Sequence, residues 1–207
     1  MSSLKAKTAT ARDRRQHILE QAERLFADRG YEGAALAEIA RAAGLGNAGL
    51  IHHFPSKAAL YRAVLEELGA DLDARLSAAL ANAHEPGARL RAFVMVQVDW
   101  ALERPMGIRV IQREILENVD RMAKARVLPL ARFSNTGKTI IEDAQAAGLV
   151  APGPPEIVLN YVIGSLTYAA VVRPTFQKVL GTRLVRTDAV WLKANATAIL
   201  DMLLRRP

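Results

Sequence analysis

The chain has 207 residues, of which 51% are hydrophobic, 24% charged and 5% aromatic. This is the balance of one large or two small globular domains, and it excludes wholesale disorder. Cysteine is absent, which excludes disulfide frameworks, cysteine-ligated zinc, iron–sulfur clusters and thiol nucleophiles, and a net charge of +7 favours polyanionic partners.

Proline and glycine divide the chain into helical patterns. Residues 1–11 are small and polar and read as a flexible arm. Ile18, Leu19, Ala22, Leu25 and Phe26 line one face of a helix from Arg12 to Arg29, and Gly30 is placed to end it. Positive charge (Lys5, Lys7, Arg12, Arg14, Arg15) is densest ahead of that face, as in a solvated tail or an arm near phosphate. Leu36, Ile39, Ala40 and Ala43 make a second, short face closed by Gly44, and a third short helix runs from Asn47 towards Phe54. Ser56 is a natural N-cap for a long helix from Lys57 to about Asn82, with Leu60, Val64, Leu68, Leu72 and Leu76 inward.

Further helices are expected at about 86–103, 105–117, 122–147, 155–173 and 187–205. Pro105 suits a first turn, Pro129 would kink its helix, and Pro174 would stop the apolar one. No stretch alternates with period two, so the fold class is all-α. The apolar stretch Ile157–Val172 is shorter than the roughly 20 residues of a membrane span, and the N-terminus lacks the apolar core of a signal peptide. A soluble, cytoplasmic protein with no membrane partner is the expectation.

The segment Leu36–Phe54, LAEIARAAGLGNAGLIHHF, carries the most information. Ala40 lets two helices approach closely, Gly44 supplies a left-handed helix end, and Leu45 plugs the corner. Together they specify a helix-turn-helix, whose second helix lies in a DNA major groove.

The spacing of Ile18, Ala22, Leu25, Phe26, Gly30-Tyr31, Ile39-Ala40, Ala43-Gly44, Leu50, His53-Phe54, Ser56-Lys57 and Leu60 resembles the TetR (TetR/AcrR-like) family of bacterial transcription regulators. The stretch runs from about Ile18 to Leu65; the rest matches the family in length and helical class only. The resemblance implies a three-helix DNA-binding domain over residues 12–57 and a larger helical ligand-binding and dimerisation domain over 58–207. It implies a homodimer on inverted-repeat double-stranded DNA, more often a repressor than an activator, released by a small-molecule effector, with no cofactor.

The chain departs from the family pattern in two places. Ala34-Ala35 stand where the family usually has Thr or Ser, so the second helix loses a capping hydroxyl at a cost of about 1 kcal/mol. Gly49 and Ile51 stand where the recognition helix commonly has Thr and Tyr, and Ile51 reads as core. Asn47 can bond adenine bidentately or merely cap its helix; His52 and His53 can donate to bases or phosphate. The candidate DNA contacts are Tyr31, Ala35, Arg41, Gly46, Asn47, Ala48, Gly49, His52, His53 and Lys57.

In the larger domain, polar and aromatic residues on apolar helices are the candidates for a ligand pocket: Gln97, Trp100, Arg109, Gln112, Arg113, Asn160, Tyr161 and Tyr168. Arg113 could equally pair with Glu114. The last two helices suit half of a four-helix dimer interface. The alternative function is a helical small-molecule-binding or interaction dimer with a degenerate DNA head. Enzyme chemistry is set aside. Gly137-Lys138-Thr139 lacks the earlier glycine of a phosphate-binding loop, and Gly164-Ser165 lacks the second glycine of a nucleophile elbow. His52-His53 are adjacent rather than one helical turn apart, so no metal site is expected.

Overall fold

The computed structural model describes residues 2–117, 128–180 and 187–204, with side chains from Asp13 onward. Nine α-helices occupy the described residues, with no strand among them: α1 (Ser2–Gly33), α2 (Leu36–Ala42), α3 (Asn47–His53), α4 (Lys57–Leu80), α5 (Pro86–Glu103), α6 (Pro105–Glu117), α7 (Ala131–Ala146), α8 (Pro155–Leu180) and α9 (Asp188–Leu203).

Three boundaries differ from expectation. α1 reaches back to Ser2, so the stretch expected as a flexible arm is helical from there. Its Ala, Lys and Arg residues are good helix formers, and no Gly or Pro interrupts them before Gly30. At Gly30 (φ 71, ψ 178) the helical path breaks, and Tyr31–Gly33 add a last turn. α7 starts at Ala131, after a turn at Pro129-Leu130, so Pro129 precedes the helix rather than kinking it; the earlier part expected at 122–127 lies outside the described residues. α8 continues through Pro174 to Leu180. Proline removes one ladder bond there. Beyond it Phe176 meets the rings of Tyr168 (6.2 Å) and Trp191 (6.4 Å), which anchors the turns after the proline.

The chain divides into two compact units: Met1–Leu68 with Arg109–Lys124, and Gly69–Ile108 with Ala125–Pro207. In the first unit α1 packs on α2 and α2 on α3. Ile18, Leu19, Phe26, Ile39, Leu50, Phe54 and Leu60 are buried there, and Phe26 meets Tyr61 edge-on at 4.7 Å.

In the second unit α5 packs against α7, α8 and α9. Phe93 lies at its centre beside Phe133 (5.2 Å), and a Cβ on Gly137 would stand 2.4 Å from the Phe93 ring. Gly137 is therefore the helical contact point that admits this ring. Asp71 joins α4 to α5: its carboxylate accepts from Trp100 Nε1 (2.9 Å), Arg75 Nε (2.9 Å) and Arg104 (3.4 Å). By length and composition, α8 is long enough to cross a membrane, contrary to the shorter apolar stretch expected. Val162, Leu166, Ala169 and Val172 of this helix are buried where it packs on α5, α7 and α9, while Ile157, Tyr161 and Tyr168 stay exposed.

Candidate nucleic-acid interface

The start of α2 has no capping hydroxyl. Ala35 is its N-cap, extended at φ −89 and ψ 136, with no side-chain hydrogen bond. Half of a capping box nevertheless survives. Glu38, three residues on, accepts from Arg29 at 2.6 Å, and the Ala35 backbone beside it also favours the ionised carboxylate. The Arg29 hydrogen bond holds the Glu38 carboxyl below its ordinary value. A Glu three positions after the cap was the available sequence signal, and it was missed.

α2 ends as its glycine requires. Gly44 has φ 70; its N–H bonds Arg41 O (3.1 Å), and the Leu45 N–H bonds Ala40 O (2.8 Å). This is the Schellman arrangement, which satisfies two orphan carbonyls and turns the chain. Gly46, extended at φ −82 and ψ 164, then caps α3, so Asn47 has no capping duty.

At roughly 100° per residue, Asn47, Ala48, Ile51 and His52 share one face of α3. All four are exposed, whereas Leu50 is fully buried. Two expectations are corrected here. Ile51 is not core: it is 50% exposed at the middle of the outward face. Gly49 lies on the other side, where a Cβ would meet the Leu45 side chain at 3.6 Å.

Cationic groups stand on the segments that flank α3. Arg41 is exposed at the end of α2. The Arg15 guanidinium lies 4.9 Å over the Phe54 ring, just past the end of α3. In the sequence Arg15 is one of the N-terminal charges, and nothing local links it to Phe54. Lys57 Nζ donates to Glu32 O (3.0 Å) and sits 4.8 Å over the Tyr31 ring. Tyr31 in turn packs against Phe26 and Tyr61. An ammonium has three donors, so this single bond leaves Lys57 two others. His53 is half-buried, its ring 5.6 Å from that of His52. The Ser56 hydroxyl accepts the Ala59 N–H at 3.1 Å and fixes the start of α4 as expected.

The candidate pocket residues fall in both units. Gln97 is buried and donates to Phe93 O, while the Trp100 indole is held by Asp71, both in the second unit. Arg109, Gln112 and Arg113 belong to the first unit. Arg113 donates to Ala27 O (3.0 Å) and Asp28 O (3.2 Å) at the end of the long run of α1, and pairs with Glu117 at 2.5 Å. A guanidinium at a helix C-terminus suits its dipole. Arg109 reaches Asp28 at 3.9 Å. Asn160, Tyr161 and Tyr168 are exposed on α8.

A glycine-turned helix pair presenting an open second helix, flanked by cations within an all-α chain, defines a helix-turn-helix regulator. The comparisons specify the family. Residues 18–64 match the bacterial regulatory proteins of the tetR family, so the chain carries that family's N-terminal domain. It is 26% identical over 173 residues to the HTH-type transcriptional regulator RutR of Escherichia coli K12, covering 83% of this chain and 80% of that one. The structure of SCO4942 from Streptomyces coelicolor, described as a transcriptional regulator, superposes with a TM-score of 0.72 at 25% identity, over 93% of this chain and 99% of that one. AibR, solved with isovaleryl coenzyme A and operator DNA, shares the fold with a TM-score of 0.65 at 23% identity, over 92% of this chain and 97% of that one.

Proposed function

We propose that this regulator is a homodimeric repressor that binds an inverted-repeat operator through α3 of each subunit. A small molecule bound by the second unit releases it. The outward face of α3 carries the reading: four exposed side chains on the second helix of a helix-turn-helix, flanked by Arg15 and Arg41. Asn47, free of capping duty, bonds adenine bidentately. His52 and His53 donate to bases or phosphate. Arg41, Lys57 and Tyr31 meet the DNA backbone, and the small residues Ala35, Gly46 and Ala48 allow it to come close. A DNA partner places the protein in the cytoplasm.

An exposed row on α8 and α9 supports dimerisation. Ile157, Tyr161 and Tyr168 on α8, and Val190 and Met202 on α9, are exposed. Tyr161 OH donates to Met202 Sδ at 3.4 Å, so the two rows adjoin. Apolar groups exposed together on adjoining helices are covered by a second copy. AibR supports effector control, having been solved with both a ligand and operator DNA.

Selection of bound duplexes from random DNA at physiological salt tests the reading. The expected product is a palindrome whose half-sites lie about 34–36 Å apart or a multiple of it. A folded dimer that enriches no motif would overturn it. One observation favours the alternative of a degenerate head: the outward face of α3 carries neither Lys nor Arg. In that case binding would be weak and sequence-independent, and removing residues 1–11 would abolish its salt dependence.

A further inference from the structure

We infer that Ile51 reads the C5-methyl group of a thymine in each operator half-site, an apolar contact where the family commonly carries a tyrosine. The inference rests on the DNA-binding reading above. Ile51 contributes little to the fold. Leu50 alone turns inward from the middle of α3 and is fully buried, while Ile51 stays 50% exposed. A β-branched side chain is also mildly unfavourable in a helix. Its neighbours on the same face are Asn47, one turn earlier, with Ala48 and His52 beside it.

On the edges of base pairs in a major groove, the one methyl group among the hydrogen-bonding groups is that of thymine. Ala48, with only a methyl side chain, lets the helix approach. Residues four apart on a helix are roughly 5–6 Å apart at Cβ, and stacked base pairs are about 3.4 Å apart. The methyl met by Ile51 therefore lies within about two base pairs of the base met by Asn47. Asn47 favours adenine, so an A·T-containing step suits both side chains. A 5-methylcytosine presents the same methyl group, and the test separates the two sources.

The test uses the full-length protein and a duplex recovered by selection. Each thymine of the half-site is replaced in turn by deoxyuridine, in both halves, and affinity is read by fluorescence anisotropy at fixed salt. One position should lose about fourfold per half-site, the equivalent of one buried methylene-sized group. Ile51→Ala should weaken binding to the thymine duplex and become indifferent to uracil at that position. Alanine favours helix at this exposed site, so the variant should fold, which circular dichroism checks.

The inference fails if a tightly bound duplex shows no uracil-sensitive position. It fails equally if Ile51→Ala keeps the full sensitivity. A parallel selection with C5-methylated cytosines assigns the methyl: sensitivity confined to methylated cytosine would overturn thymine as its source. Recovery of no motif at all is a different result, and it overturns the DNA-binding reading itself.

Discussion

The outward face of α3 and the outward face of α8 and α9 both leave apolar side chains in water, but they differ in pattern. On α3 a single aliphatic residue, Ile51, stands among Asn47, His52 and the small Ala48. On α8 and α9, Ile157, Tyr161, Tyr168, Val190 and Met202 are exposed together. An apolar side chain ringed by hydrogen-bonding groups can make one directed contact to a partner that is mostly polar. Several of them exposed together are covered by a surface of the same kind. Exposure alone therefore does not distinguish the roles; the neighbours do.

The largest effect should follow from breaking the row. Tyr161→Asp places a charge at its centre, where Tyr161 now touches Met202. Burying an unpaired carboxylate between two copies costs about 3 kcal/mol or more, so dimer affinity should fall more than 100-fold. Sedimentation velocity should find monomer at micromolar concentration, with helix content unchanged because Tyr161 is exposed in the single chain. A persistent dimer would place the interface elsewhere.

Next in size is the polar half of the α3 face. Asn47→Ala should cost about 1–3 kcal/mol, roughly 10- to 100-fold, and relax selection at one adenine in each half-site. A uniform loss across sequences would instead make Asn47 a backbone contact. A third change tests how the second unit is held rather than what it touches. Asp71→Ala strips the partner from a buried indole and leaves Arg75 and Arg104 side by side. About 2 kcal/mol should be lost, and the thermal midpoint should fall by about 4–8 °C while α3 still selects the same motif.

The sequence made legible what depends on near neighbours. Gly30, Gly44 and Ser56 end or start helices through their own backbone or side chain, and each does so in the structure. Features that depend on distant packing were not legible. Nothing near Pro174 in the chain shows that Phe176 will be anchored by Trp191. The bonds of Arg113 to Ala27 and Asp28 span more than 80 positions, so no local pattern announces them. Ile51 reads as core because an isoleucine in a short helix usually is; only the register set by Leu50 shows that it faces out.

The smallest predicted effect concerns the helix that leads to the α3 face. Ala35→Thr would supply the missing hydroxyl at the N-cap of α2, completing the box that Glu38 half fills. The gain should be about 1 kcal/mol, seen as a rise of roughly 2–4 °C in the thermal midpoint. A threonine adds no charge. If its hydroxyl also reaches a phosphate, affinity should rise with no change in salt slope, because no further counterion is released. A steeper slope would mean that cations such as Arg41 had moved instead. Acid provides an independent control on Glu38. Its folded value lies below the ordinary 4.5, so the Arg29–Glu38 link contributes its full stability above that pH and loses it as pH falls through the lowered value. Glu38→Gln should remove that part of the acid dependence. In a variant that also carries Ala35→Thr the hydroxyl's own contribution should remain at low pH, since a neutral cap does not titrate.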